Sequence, residues 1–164
     1  MKPKIYLETS IVSYLTANPS KDVIVSANQF LVHEWWNDKR EDFDLFVSEL
    51  VIDEAGKGNK SMAAKRLDLM ADLPLLQNND DTKKLAAEIL NRGILPKKAT
   101  LDVFHISISA VHGIDFLLTL NCKHIANAFI YRRIGQVCKD FGFQPPVVCT
   151  PLEILGKEYK IDEG

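Results

Sequence analysis

Three acidic residues in this sequence stand where a charged side chain is costly to place. Glu8 follows a short β-prone run, Glu54 ends an apolar helical stretch, and Asp102 interrupts another apolar helical stretch. A carboxylate in apolar surroundings must be paired, neutralised or bound to a cation. Three carboxylates brought together repel one another unless a cation compensates, and oxygen ligands without a Cys or His set select Mg²⁺ or Mn²⁺ rather than zinc. The sequence therefore predicts a metal site made of Glu8, Glu54 and Asp102.

Three further polar residues stand close to these acids along the chain. Asn121 follows a predicted strand, at the end where ligands bind in open α/β sheets. His105 lies one helical turn after Asp102, and His124 lies three residues after Asn121. We expect both histidines to be hydrogen-bonded structural residues rather than metal ligands.

Strands and helices alternate along the sequence. Apolar and β-prone runs predict strands at residues 4–7, 43–47, 74–77, 114–120 and 147–149. Apolar periodicity and stop residues predict helices at 11–16, 22–36, 80–91, 97–112 and 124–141. Two more helices are predicted from their caps: Ser48 caps a helix that runs through Glu54, and Ser61 caps a helix that ends before Pro74. This alternation predicts an α/β fold, a three-layer α/β/α domain with a central, mainly parallel sheet.

Length and composition indicate a single globular domain. The 164 residues are 46% hydrophobic and 26% charged, and we expect one domain over residues 1–155 followed by a flexible tail at 156–164. The three cysteines lack metal-ligand spacing, and small buried thiols in a reducing cytoplasm are expected. Neither a signal peptide nor an apolar run of the ~20 residues that cross a bilayer is present, so no membrane association is expected.

Four short motifs follow one another along almost the whole chain. They are YLETS (6–10), SELVIDEA (48–55), DVFHISISA (102–110) and LLTLNCKHIAN (117–127). In order and spacing they resemble the PIN-domain family, and most of all the VapC-like toxins of bacterial type II toxin–antitoxin systems. By this resemblance Glu8 matches the first acid, usually Asp in the family, and Glu54 and Asp102 match the next two. Asn121 matches the fourth position, which is Asp in many members and Asn in some.

The resemblance implies a PIN-like fold and a metal-dependent endoribonuclease. Glu8 and Asp102 would hold Mg²⁺ or Mn²⁺, Glu54 would bind a second ion or orient the attacking water, and Asn121 would offer its amide oxygen to a metal-bound water. Thr9 and Thr119 are expected to hydrogen-bond such a water or a phosphate oxygen.

The partners that the resemblance implies are an RNA substrate, a cognate antitoxin protein and a second copy of the chain in a homodimer. The net charge of −2 argues against binding nucleic acid by bulk electrostatics. Lys123, Arg132 and Arg133, expected on one helix, are candidates to guide the RNA backbone, and a solvated basic face is an equally good interpretation.

Two alternatives remain open at this stage. Because Glu8 is longer than the usual Asp and Asn121 carries no charge, the chain could instead be a catalytically weak PIN-like module that binds RNA or a protein. A phosphoryl-transfer or nucleotide-binding α/β protein is poorly supported, since the sequence has neither a Walker motif nor GxGxxG.

Overall fold

A parallel β-sheet forms the centre of the molecule. The structure is a computed structural model that describes residues 1–156. The strands are β1 (Lys4–Leu7), β2 (Asp44–Ser48), β3 (Leu75–Leu76), β4 (Phe116–Leu118) and β5 (Val147–Cys149), in the spatial order β3-β2-β1-β4-β5. Every neighbouring pair is parallel. The carboxyl ends of β2, β1 and β4 therefore lie side by side at one edge of the sheet.

Helices pack in two groups around this sheet. They are α1 (Thr9–Thr16), α2 (Val23–Asp38), α3 (Glu49–Ala55), α4 (Lys60–Met70), α5 (Asp80–Asn91), α6 (Thr100–Val111), α7 (Ala128–Asp140) and α8 (Pro151–Ile154), with 3₁₀ turns at Arg40–Asp42 and Lys97–Ala99. Helices α1 to α4 and α8 contact one another, and α5 contacts both α6 and α7. The predicted three-layer α/β/α fold with a parallel sheet is confirmed.

The central strands are apolar because both of their faces are covered. Ile5, Tyr6 and Leu7 of β1 and Leu117 and Leu118 of β4 are fully buried. Strands buried on both faces form continuous apolar runs rather than an alternation of polar and apolar residues. The first polar residue after each run therefore marks the end of the strand, where Glu8 and Thr119 stand.

Two predicted caps have different outcomes. Ser48 caps α3 as expected, since its hydroxyl accepts the N–H of Val51. The expectation that Ser61 caps the next helix is wrong, because Asn59 accepts the N–H groups of Ser61 and Met62 and α4 begins at Lys60. An Asn side chain satisfies two of the free N–H groups at the helix start.

The predicted helix at 124–141 is also wrong at its start. Residues 122–126 form turns, because the carbonyl of Asn121 accepts the N–H groups of Ile125 and Ala126. Asn127 then caps α7 by accepting the N–H of Ile130. The strand expected at 114–120 is similarly shorter in the structure, where β4 spans Phe116–Leu118.

Among the cysteines, Cys138 and Cys149 are buried as expected, whereas Cys122 is exposed because it lies in this turn segment. Within residues 1–156, no helix has the length and apolar character needed to span a bilayer. The single domain expected over residues 1–155 stays a prediction. The tail expected at 156–164 lies, from residue 157 on, outside the described residues.

Candidate active site

Glu8 is held at the junction of β1 and α1. It is the N-cap of α1, and its Oε2 accepts the backbone N–H of Ser10 at 3.0 Å and the Ser10 hydroxyl. The Thr119 hydroxyl donates to the same Oε2 at 2.9 Å. Glu8 is buried, and three donors to one oxygen compensate the loss of water around its carboxylate. Its other oxygen, Oε1, accepts no hydrogen bond from residues 1–156.

The two hydroxyls that hold Glu8 also join β1 to the segment after β4. Ser10 Oγ accepts the N–H of Leu120 at 2.9 Å, and Thr119 Oγ1 accepts the N–H of Asn121 at 3.0 Å. Each hydroxyl thus donates to the Glu8 carboxylate and accepts a backbone N–H of the segment after β4, across the strands for Ser10 and within its own segment for Thr119. The Thr119 proton is directed to Glu8, and the expected contact of Thr119 with a water or a phosphate stays a prediction.

Glu54 lies on α3, close to Glu8 in space. Its Oε1 accepts the Thr9 hydroxyl at 2.7 Å and lies 2.6 Å from His105 Nε2. Burial opposes ionisation of this carboxyl, but the hydrogen bond and charge of His105 and the Thr9 hydroxyl outweigh it, so the pKa of Glu54 lies below its ordinary value. Its neighbour Asp53 points to solvent. Only one of the two adjacent acids therefore faces the site, because neighbouring residues on a helix project about 100° apart.

A buried polar chain that the sequence did not reveal stands behind Glu54. The Tyr6 hydroxyl lies 2.7 Å from His105 Nδ1 and 2.7 Å from Ser48 Oγ, and all three side chains are buried. An ionised Glu54 requires the proton of His105 on Nε2, so Nδ1 accepts the Tyr6 proton when the ring is neutral. Burial raises the pKa of Tyr6, which keeps its hydroxyl protonated as this arrangement requires. A tyrosine inside an apolar strand gives no sequence signal beyond that of a core residue.

Asp102 is bound by the turn that follows β4. Its Oδ1 accepts the Asn121 side-chain amide at 3.0 Å, and its Oδ2 lies 2.8 Å from His124 Nδ1. The Asn121 amide oxygen accepts the backbone N–H of His124 at 3.1 Å. Both polar ends of the Asn121 side chain are therefore engaged within the protein, and its contact with a metal-bound water stays a prediction. His105 and His124 are thus both hydrogen-bonded, as predicted.

The structure brings the four predicted catalytic positions into one hydrogen-bonded region. Thr119 hydrogen-bonds both Glu8 and Asn121, and Asn121 in turn hydrogen-bonds Asp102. Thr9, the residue after Glu8, hydrogen-bonds Glu54. Among residues 1–156, however, no group of three or more His, Cys, Asp or Glu side chains is arranged to hold a metal ion. Each carboxylate is turned toward donors of its own neighbourhood.

The donor set of this region nevertheless suits a hard divalent cation. Glu8 Oε1 and Glu54 Oε2 accept no hydrogen bond from the described residues, because the donors converge on the other oxygen of each carboxylate. Carboxylate and amide oxygens are the ligands that Mg²⁺ and Mn²⁺ prefer. The residues present therefore fit such an ion by chemistry.

The predicted basic residues do not share one helix. Lys123 lies in the turn before α7, whereas Arg132 and Arg133 lie on α7 itself. The reason is the turn that the Asn121 carbonyl stabilises, because of which α7 begins only at Ala128. All three side chains are exposed.

Comparison with solved structures supports the fold described above. No protein-family model matches the chain, and no curated protein matches it. VapC20 of Mycobacterium tuberculosis, described as a sarcin–ricin loop cleaving toxin, is 15% identical with a TM-score of 0.58, covering 73% of this chain and 92% of that one. VapBC2 from Rickettsia felis, bound to a DNA fragment from its promoter, is 16% identical with a TM-score of 0.52, covering 89% and 98%. DNA-bound VapBC from Salmonella typhimurium is 14% identical with a TM-score of 0.58, covering 91% and 98%.

These likenesses define the class of fold. The chain has the PIN-like α/β/α fold, with a five-stranded parallel sheet. Within that fold it resembles the VapC toxin structures, which confirms the resemblance inferred from the four motifs.

Proposed function

We propose that this chain is a metal-dependent endoribonuclease and the toxin of a type II toxin–antitoxin system. The observation that carries the proposal is the hydrogen-bonded region that contains Glu8, Glu54, Asp102 and Asn121 at the carboxyl ends of the central strands. The likeness in fold to a toxin described as cleaving the sarcin–ricin loop supports RNA as the substrate.

In this proposal Glu8, Glu54 and Asp102 hold Mg²⁺ or Mn²⁺. When bound, the ion activates water and neutralises charge on the phosphate. The residues around the carboxylates orient them before the substrate arrives: hydroxyls hold Glu8, and a hydroxyl and an imidazole hold Glu54. Asn121 and His124 do the same for Asp102. Such outer contacts reduce the rearrangement needed during the reaction.

We also propose a cognate antitoxin, a homodimer and a cytoplasmic location. The likeness to VapBC structures bound to DNA supports an antitoxin partner. The exposed side chains of Val23, Ile24 and Phe30 give α2 an apolar surface, which supports self-association. The RNA substrate would be met in the cytoplasm. Sedimentation of the purified protein, alone and with the product of an adjacent antitoxin-like reading frame, tests the two partners.

A catalytically weak module that binds RNA or protein is the second candidate. One observation favours it: both carboxylate oxygens of Asp102 are already engaged by Asn121 and His124. Metal binding at Asp102 then requires one of these hydrogen bonds to be exchanged. In this case RNA or partner binding persists without cleavage.

One assay separates the two candidates. Purified protein is incubated with RNA in Mg²⁺, in Mn²⁺ and in EDTA, together with D102A, E54Q and the matched control D53N. Asp53 adjoins Glu54 on the same helix and is exposed. We expect cleavage to require metal and to fall at least about 100-fold in D102A and E54Q, with D53N within about twofold of wild type. Cleavage that persists in EDTA or in D102A would contradict the nuclease proposal.

A further inference from the structure

Phe129 is an unusually exposed aromatic residue at the start of the helix that follows the Asn121 turn. Among the large apolar side chains of residues 1–156 it is exceeded in exposure only by Met1, with 91% of the residue accessible. It lies in the first turn of α7, eight residues after Asn121. The compact turn between them, closed by the hydrogen bonds of the Asn121 carbonyl, fixes α7 beside the segment that binds Asp102.

Two arginines share the helix face of Phe129. Arg132 and Arg133 follow it by three and four residues, the spacing that places side chains next to one another on a helix. With Ala128 and Gln136 these three residues line one shallow pocket. Neither arginine forms an ion pair within residues 1–156, whereas Arg92 is bound by carboxylates of α5 and α7. The "Phe129 surface", made of Phe129, Arg132 and Arg133, is thus an aromatic ring beside two positive charges that form no ion pair with residues 1–156.

This combination suits one kind of partner best. Unpaired bases stack on aromatic side chains, and the phosphates that connect them pair with arginines. A duplex offers phosphates but keeps the faces of its bases stacked on one another. A second copy of this chain is disfavoured, because a two-fold contact centred on Phe129 would bring four arginines together. The apolar surface of α2, by contrast, contains no arginine.

We infer that the Phe129 surface binds single-stranded RNA, with an unpaired base stacked on the Phe129 ring and phosphates paired with Arg132 and Arg133. The inference rests on the proposed function for the identity of the nucleic acid. It adds that the RNA reaches the site unpaired, along the first turns of α7.

The test measures binding without cleavage. A fluorescein-labelled single-stranded RNA of about twelve nucleotides of mixed sequence is titrated with the protein in EDTA, and anisotropy is recorded. We expect F129A to weaken binding about five- to 100-fold and F129W to preserve it, because the stacking of one base is lost in the first and kept in the second. F141A is the matched control, since Phe141 is an exposed phenylalanine at the opposite end of α7, 42% accessible, and we expect it to bind like wild type.

Two further arms identify what the surface recognises. A blunt duplex of the same length should bind with an affinity that F129A leaves unchanged. The double variant R132Q/R133Q should reduce the slope of log K against log salt by about 1.4, for two phosphates on a single strand. Thermal unfolding of each variant verifies that the fold is retained, as expected for exposed positions.

Three results would overturn the inference. They are unchanged single-strand binding by F129A, an equal loss for duplex and single strand, and a change in self-association or antitoxin binding by F129A while RNA binding is unaffected. The last would assign the surface to a protein partner. Failure here is distinguishable from failure of the proposed function: cleavage by wild type with no effect of F129A on binding removes only the inference. RNA binding that depends on Phe129 but is not followed by cleavage in Mg²⁺ would contradict only the proposed nuclease activity.

Discussion

His105 and His124 each hydrogen-bond a carboxylate of the proposed site, but their surroundings differ. His105 is fully buried and lies 2.6 Å from Glu54, and its second ring nitrogen bonds Tyr6. The side chain of His124 is 16% exposed and lies 2.8 Å from Asp102, and its second ring nitrogen has no partner among residues 1–156. One carboxylate is fixed by the core of the protein, whereas the other is held by a surface turn.

Helix α6 connects these two pairs. It supplies Asp102 and His105 three residues apart, so both side chains leave the same side of the helix. His105 is directed into the core toward Tyr6, and Asp102 is directed to the turn after β4. The comparison teaches that the histidine beside Glu54 belongs to the core, while the histidine beside Asp102 belongs to a turn next to solvent.

The largest expected effect is on stability when the buried histidine is removed. H105A should lower the free energy of unfolding by about 2–4 kcal/mol, because it leaves a cavity and deprives Tyr6 and Glu54 of partners. H124A should cost only about 1 kcal/mol, since it removes one hydrogen bond to Asp102 and the second ring nitrogen of His124 has no partner within residues 1–156. Urea unfolding of both variants measures the difference. Equal losses would show that the two pairs are not built differently.

A smaller effect is expected one step further from Glu54. Y6F removes the hydroxyl that bonds His105 Nδ1 and Ser48 Oγ, and should cost about 1–2 kcal/mol because both groups stay buried. Y14F is the matched control, since Tyr14 is partly buried against the core and its hydroxyl has no hydrogen bond within residues 1–156. We expect Y14F to stay within about 0.5 kcal/mol of wild type. Equal stability of Y6F and Y14F would show that the Tyr6 hydroxyl does not stabilise the side chains behind Glu54.

A further stability effect concerns Asn121, the uncharged residue that donates to Asp102. In N121D the amide that donates to Asp102 is replaced by a second carboxylate, so the protein in EDTA should lose about 1 kcal/mol through repulsion. Added Mn²⁺ should reverse this loss, since a cation compensates the charges of both carboxylates. It should therefore raise the Tm of N121D by more than that of wild type. Thermal unfolding with and without Mn²⁺ measures the effect. The same loss in both conditions would argue against an ion beside Asp102.

The fold was predictable because its signals are local. Apolar runs end at Glu8 and just before Thr119, and helices end at Gly93 and Gly113, whose φ of 63° is a left-handed conformation that suits glycine. The short turn before α7 was missed, because residues 124–141 have helical periodicity and the hydrogen bonds of the Asn121 carbonyl are tertiary detail that periodicity does not contain.

The candidate site was predictable in part for the same reason. The acids were found because charged residues stand out in apolar sequence. The supporting residues were not, because Tyr6 and Ser48 resemble a core residue and a helix cap. The roles of Thr9 and Thr119 depend on which carboxylates the fold places beside them. Residue type alone does not carry that information.

The most direct test of the central claim is a Mn²⁺ titration followed by electron paramagnetic resonance. Free Mn²⁺ is measured against added protein for wild type, for E8Q, E54Q and D102N, and for the control D53N. We expect saturable binding by wild type and D53N, weakened at least about tenfold in each of the other three, because each removes a charged oxygen ligand. Binding that is equal in all five proteins would contradict a metal site formed by Glu8, Glu54 and Asp102.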